Sequence, residues 1–316
     1  MSRSMQSLRT SRRDAVPVMV HTASSGPVVA ITANIHGDEA TGVAVVQELD
    51  RWLVEHLQRG TVVLYPSLNP AGLSSRTRVL PPDGADLNRL FPGHRDGNES
   101  EKHAAAIWKD LASRRVSLLV DLHADSARSI PYAIVDRALA RGRGSKLAPT
   151  LEQYALASGL TVLREYPDDQ YVRYALDRSL AGAMVNRGAV PAITVEAGPR
   201  RWISASAVAA ALDAVRGVLG DLGLADFATV VHPSRVDGGP WRRAPAPRVR
   251  VGGIFRERLE PGARFARGDV LGTLVDLAGQ TLEEVVAPSE GIVISWAELT
   301  WVEAGSVPGT VGLLEA

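Results

Sequence analysis

The chain has 316 residues, 45% of them hydrophobic and 22% charged, enough apolar material for one large domain and a small one. Thirty-five basic residues balance thirty-five acidic ones, so no global field gathers nucleic acid or an anionic membrane, and the expected partner is a small molecule. Cysteine is absent, which excludes disulfides, thiol nucleophiles and thiolate metal sites and leaves His, Asp and Glu as the strong metal ligands.

The opening stretch, MSRSMQSLRTSRRDAVPVMV, is rich in Arg and Ser without an apolar h-region, and no later apolar run reaches the roughly 18 residues of a membrane span. Residues 1–14 are expected to be a disordered tail, and the protein to be cytoplasmic with no membrane partner; homo-oligomerisation stays open. PVVAITAN at 27–34 predicts a strand, HGDE a tight turn, and Val43, Val46, Leu49, Leu53 and Leu57 an amphipathic helix. The pattern recurs with TVVLYP at 61–66, a helix near 99–114, SLLVDLH at 117–123, a helix near 175–187, and PAITVEAG at 191–198. Strands alternating with helices predict an α/β fold, a mostly parallel or mixed sheet with helices on both faces, over residues 15–225.

Residues 67–98 break this rhythm, being dominated by Asn, Pro, Gly, Asp and Arg; a loop of that length in a compact domain is usually functional. From residue 226 to 316 the sequence reads as short strands spaced by Gly and Pro, such as VRVGGIF, DVLGTLV and GIVISWA, which predicts a small C-terminal all-β domain. P-loop, GxSxG and HExxH strings are all missing, and RGRG at 141–144 is too short for a dinucleotide fingerprint.

His36 and Glu39, His123, and Glu196 each follow a predicted strand, and ligands of open α/β sheets bind beyond the carboxyl ends of the strands. His36, Glu39 and His123 make a His₂Glu set that leaves one tetrahedral position open, as a catalytic zinc requires. Glu196 fits the general base that takes a proton from water and hands it to a leaving amine. In the long loop, Arg76, Arg78 and Arg89 supply guanidinium groups able to grip a carboxylate or face a developing oxyanion.

NIHGDEATG at 34–42, DLNRLFPG at 86–93, DLH at 121–123 and VEAG at 195–198, in this order, resemble the succinylglutamate desuccinylase and aspartoacylase branch of the zinc carboxypeptidases. The resemblance covers about residues 15–200. It implies one Zn²⁺ on His36, Glu39 and His123, and Glu196 as catalytic base. It also implies Asn88 and Arg89 as a clamp for a substrate carboxylate, and an arginine upstream of DLNR as the group that polarises the scissile carbonyl. Arg78 is the match for that arginine, with Arg76 two residues away as the alternative. Arg164, Tyr166, Tyr171 and Arg173 are further candidates to line the substrate pocket. The C-terminal part is similar to lipoyl and biotinyl half-barrels, yet Lys102, Lys109 and Lys146 are the only lysines, so it has no attachment residue. It is expected instead to cap the cleft.

These features predict a zinc-dependent amidohydrolase acting on a small N-acylated amino acid or related carboxylate. A metallocarboxypeptidase trimming peptide C-termini is the first rival. A metal- or ligand-binding protein without turnover is the second, and a base beside the metal argues against it.

Overall fold

The computed structural model describes residues 1–12, 15–298 and 300–315. The chain runs β1 (Ser2–Leu8), β2 (Val16–Thr22), β3 (Val28–Ala33), α1 (Thr41–His56), β4 (Thr61–Tyr65), α2 (Pro70–Ser75), α3 (Glu99–Ser113), β5 (Leu118–His123) and β6 (Tyr132–Val135). It continues through α4 (Ala148–Ala157), β7 (Thr161–Arg164), α5 (Asp168–Arg173), α6 (Leu180–Ala183), β8 (Ala192–Glu196) and α7 (Ala205–Asp221). The pairing order in this part is β1-β2-β4-β3-β5-β8-β6-β7. β4, β3, β5 and β8 are mutually parallel, whereas β6 runs antiparallel to β8 and parallel to β7. The sheet is therefore mixed, as the sequence predicts. Every side chain of β5 is buried, the mark of a central strand covered on both faces.

The helices begin where local chemistry allows. Asn98 accepts from the Glu101 backbone N–H while its own N–H donates to the Glu101 carboxylate, both at 2.9 Å; this capping box starts α3 within the predicted span. α1 turns Thr41, Gly42, Val45, Val46, Leu49 and Leu53 into the core. The predicted helix near 175–187 is instead broken into a 3₁₀ turn at Leu176–Arg178, the short α6, and a widened turn at Met184–Gly188. Ala175 adopts φ +53° and the Ser179 side chain accepts from Gly182 N at 2.9 Å, so the chain restarts there rather than continuing.

The expectation of a disordered tail over 1–14 is corrected for Ser2–Leu8, where β1 pairs antiparallel with β2 from Ser2↔Thr22 to Leu8↔Val16; Arg13 and Asp14 lie outside the described residues. Arg3 reaches Asp50 at 2.8 Å, and the same carboxylate accepts from the buried His21 at 2.7 Å. An edge strand this polar and exposed carries no alternating apolar signal, which is why its sequence reads as a tail.

After α7 a connection leads to β9 (Trp241–Pro245), β10 (Gly253–Glu257), β11 (Arg264–Phe265), β12 (Val270–Val275), β13 (Thr281–Val286), β14 (Gly291–Trp296), β15 (Trp301–Val302) and β16 (Gly309–Leu314). One layer is a four-stranded sheet, β13-β12-β10-β15; the other, β9-β16-β14-β11, continues the main sheet. Phe255, Leu271, Leu274, Val293 and Trp296 pack between them. The join is the parallel pairing Leu163↔Trp241 and Arg164↔Arg242 between β7 and β9. No helix among the described residues is long and apolar enough to cross a membrane.

Candidate active site

The chain turns as soon as β3 ends. Asn34 adopts φ +55°, and its Nδ2 donates to the carbonyls of His36 at 2.9 Å, Gly37 at 3.1 Å and Glu39 at 3.1 Å. Its Oδ1 accepts from Ser67 Oγ at 2.6 Å. One buried carboxamide thus wraps the loop that aims His36 and Glu39. Gly37 lies against α2, where a Cβ would come within 2.1 Å of the Gly72 carbonyl carbon; no other residue fits that approach. His123 and Glu196 are register partners on β5 and β8, so both side chains leave the same face of adjacent strand ends.

His36, Glu39 and His123 converge, with ligand atoms within 4.8 Å of one another, and can hold a metal. His36 Nδ1 lies 2.8 Å from Glu39 Oε1, and His123 Nδ1 lies 2.9 Å from Glu39 Oε2. The far nitrogens face other carboxylates. His123 Nε2 is 3.0 Å from Asp121 Oδ2, and Asp121 accepts from Thr32 Oγ1 at 2.7 Å. His36 Nε2 is 3.3 Å from Asp86 Oδ1, a charge contact without hydrogen-bond alignment. Carboxylates behind both rings favour the Nε2–H tautomers and leave the Nδ1 lone pairs directed at one point, the donor chemistry of a cation site. Burial works against an ionised Glu39, but His36 and His123 outweigh it and hold its carboxyl well below the usual range. Burial likewise opposes a charged His123, and Asp121 and Glu39 overcome it, raising that imidazole well above its ordinary value.

Glu196 stands beside this group with its buried Oε2 free of any hydrogen-bond partner. Burial first, then the charges of Glu39 and Asp125, push it up to about 7, against the pull of His123 and Arg243. Arg78 bridges Glu39 at 3.3 Å and Asp86 at 3.5 Å. Asp86 also accepts from Asn88 N at 2.9 Å, which shapes the DLNR turn and explains why that aspartate belongs with the arginine. Asn88 Oδ1 accepts from Leu180 N at 2.8 Å, leaving its Nδ2 as the free arm. Arg89 Nη1 donates to the Asn88 carbonyl at 2.7 Å. All seven sequence-predicted site residues, His36, Glu39, Arg78, Asn88, Arg89, His123 and Glu196, line one cleft of about 140 Å³. Between the two arginine candidates the structure distinguishes plainly: Arg78 faces the cleft, whereas Arg76 is exposed and ends α2 with φ +57°.

The other pocket candidates lie elsewhere. Arg164 pairs with Glu152 and Glu315, and Tyr171 is fully buried with its hydroxyl on Asp136 at 2.6 Å. Tyr166 packs under the Arg243 guanidinium, 5.4 Å from its ring centre. Arg173 lies over Tyr174 on α5, 5.7 Å away. The cleft instead takes Asp125, Asp136, Glu165, Arg200 and Arg243, none of which lies in the ordered motifs. Only the Asp ending PYAIVD and the Glu following TVLR mark strand ends of the kind that delivered His36, Glu39 and His123.

The family model for the succinylglutamate desuccinylase/aspartoacylase catalytic domain matches residues 25–221. An N-alpha-acetyl-L-2,4-diaminobutyric acid deacetylase from Halomonas elongata is 34% identical over 120 residues, 37% of this chain and 35% of that protein; the match spans about a third of the relative's length. An aspartoacylase family protein from Mesorhizobium loti superposes with a TM-score of 0.81 at 23% identity, over 100% of this chain and 95% of the other. A metallo-carboxypeptidase from Burkholderia cenocepacia shares the fold more distantly, with a TM-score of 0.56 at 16% identity over 70% of this chain and 65% of its own.

Proposed function

Because the chain belongs to the succinylglutamate desuccinylase/aspartoacylase family, we propose that it is a zinc-dependent amidohydrolase that removes the acyl group from a small N-acylated amino acid. The observation that carries this reading is the pair of Nδ1 atoms meeting on the Glu39 carboxylate with Glu196 unpartnered beside them. A Zn²⁺ held by His36, Glu39 and His123 would supply a Lewis acid for the amide carbonyl and acidify water toward neutral pH. Glu196 Oε2 takes the proton of the attacking water and returns it to the departing nitrogen. Arg78, beside Glu39, faces the oxygen on which negative charge develops. Asn88 Nδ2 and the Arg89 guanidinium hold the substrate carboxylate and so fix the amide over the base. The cleft, at about 140 Å³, is below the size of drug-binding sites, which favours single amino acids over peptides. Residues 15–225 carry this chemistry, and 226–316 wall the cleft.

The deciding experiment is to load the purified protein with zinc and follow acyl release from a panel of N-acetyl and N-succinyl amino acids, alongside C-terminal residue release from peptides. Turnover of the N-acyl amino acids, lost on chelation and restored by zinc, is expected. Release of C-terminal residues with no deacylation would instead select the carboxypeptidase rival.

The two arginines should separate kinetically. Loss of ground-state binding raises KM, whereas loss of a contact made in the transition state lowers kcat. Arg89→Ala is expected to raise KM with a smaller change in kcat, and Arg78→Ala to lower kcat by about a hundredfold, the scale of a lost oxyanion contact. Steady-state kinetics on one N-acyl amino acid would exchange the roles if the signatures were reversed.

A further inference from the structure

The C-terminal β domain sends a cation into the cleft. Arg164↔Arg242 is the last pair between β7 and β9, so Glu165 and Arg243 stand side by side in the next row, and both line the cleft together with Asn88 and Arg89. Two neighbours lock the Arg243 guanidinium. Its Nη1 donates to Glu165 Oε1 at 2.7 Å, and the Tyr166 ring supports one face, its centre 5.4 Å away. Nη1 is the one nitrogen of this guanidinium with a hydrogen bond among the described residues, yet the side chain keeps 23% of its surface, against 5% for Glu165. A guanidinium held on one edge and open on another is preorganised for an anion.

Arg89 lies in the same charged neighbourhood. Burial lowers its pKa first, Asp86 raises it, and Arg78 and Arg243 lower it. Its own hydrogen bond goes to a neutral group, the Asn88 carbonyl, at 2.7 Å. Of the two arginines only Arg243 has a carboxylate bonded to it, and an anion bound to both would relieve the repulsion between them.

We propose that Arg243 is a substrate-binding residue that completes, with Arg89 and Asn88, the clamp on the substrate's α-carboxylate, so that the C-terminal β domain supplies part of the binding site as well as its wall. This rests on the amidohydrolase reading above and adds to it a contact that residues 15–225 cannot make. An Arg243 present only to neutralise Glu165 predicts something different: breaking their pair from either side would then do equal harm.

The readout is the preference, in kcat/KM of the zinc-loaded protein, for the best N-acyl amino acid of the panel above over its α-carboxamide. Arg243→Gln should lose roughly ten- to hundredfold of that preference, mainly through KM, the scale of a charged hydrogen bond. Arg243→Lys, which keeps the charge without the planar fork, should lose less. Glu165→Gln retains an acceptor for Nη1 and should keep or strengthen the preference. Because Arg243→Gln leaves the Glu165 carboxylate buried and unpaired, the double variant of Arg243→Gln with Glu165→Gln, in which two amides replace the ion pair, is measured beside it and should show the same loss. An undiminished preference in Arg243→Gln or in the double variant, or an equal loss in Glu165→Gln, would overturn the proposal. If no N-acyl amino acid is hydrolysed, the parent reading fails, and calorimetry on the purified protein decides the clamp. Tighter binding of norleucine than of norleucinamide, weakened about tenfold in Arg243→Gln, supports it; equal or undetectable binding refutes it.

Discussion

His123→Ala, purified without added metal, should contain almost no zinc and hydrolyse N-acyl amino acids no faster than background. Truncation leaves two donors where a catalytic zinc takes three. It also removes the Nδ1 contact to Glu39 Oε2, so the buried carboxylate keeps the Ala124 N–H at 3.1 Å but loses an imidazole. The comparison variant is Asp121→Asn. Asp121 touches His123 from behind at 3.0 Å and sits outside the donor set; loss of such a supporting carboxylate typically weakens metal affinity by about ten- to a hundredfold. A graded result, slight zinc loss in Asp121→Asn and near-complete loss in His123→Ala by elemental analysis, is expected. Full zinc content and normal turnover in His123→Ala would remove that residue from the metal site.

Glu196→Gln should behave in the opposite way, retaining zinc while turnover falls by roughly a hundredfold to ten-thousandfold, the range for a lost general base. The glutamine is nearly isosteric, and Glu196 Oε2 has no partner to lose, so folding and metal content should survive. The pH profile supplies a second readout. Glu196 must be deprotonated to accept a proton, and burial, followed by the charges of Glu39 and Asp125, raises its pKa. kcat/KM should therefore rise with pH on its acid side as the carboxyl ionises, and that limb should disappear in Glu196→Gln. Loss of the metal from this variant would make Glu196 a ligand and reverse the roles.

His36, Glu39 and His123, the group that can hold a metal, were legible because each follows a strand whose apolar run is unmistakable, and because Gly37 permits His36 and Glu39 to turn together. The DLNR turn was legible as a motif, but the contacts of its aspartate were not: only the folded chain brings Asp86 to both His36 and Arg78. Asp136, Glu165 and Arg243 were not legible. Asp136 and Glu165 follow strands of four residues and Arg243 sits within one of five, all too short to impose a period, and Arg243 reaches Glu165 across 78 residues of sequence. β1 was hidden for a different reason, since an exposed edge strand can be polar on both faces. The broken helix at 175–188 shows a third kind of miss, in which apolar spacing suggests a helix but Ser179 and the left-handed Ala175 restart the backbone.

The pairing of β9 with β7 also bears on how this cleft could change its chemistry over time. Arg243 faces Glu165 because of where β9 lies along its neighbours, Arg164↔Arg242 on one side and Arg243↔Gly312 on the other. Side chains of a strand alternate between faces, so a shift by a single residue would withdraw Arg243 and offer Arg242 or Ala244 in its place. A small sliding mutation in the connection before Trp241 that brings Ala244 there would thus remove this cation in one step, with His36, Glu39, His123 and Glu196 untouched. Descendants of such a chain would share their hydrolytic machinery and differ in diet, and the difference would be written in strand register rather than in any motif.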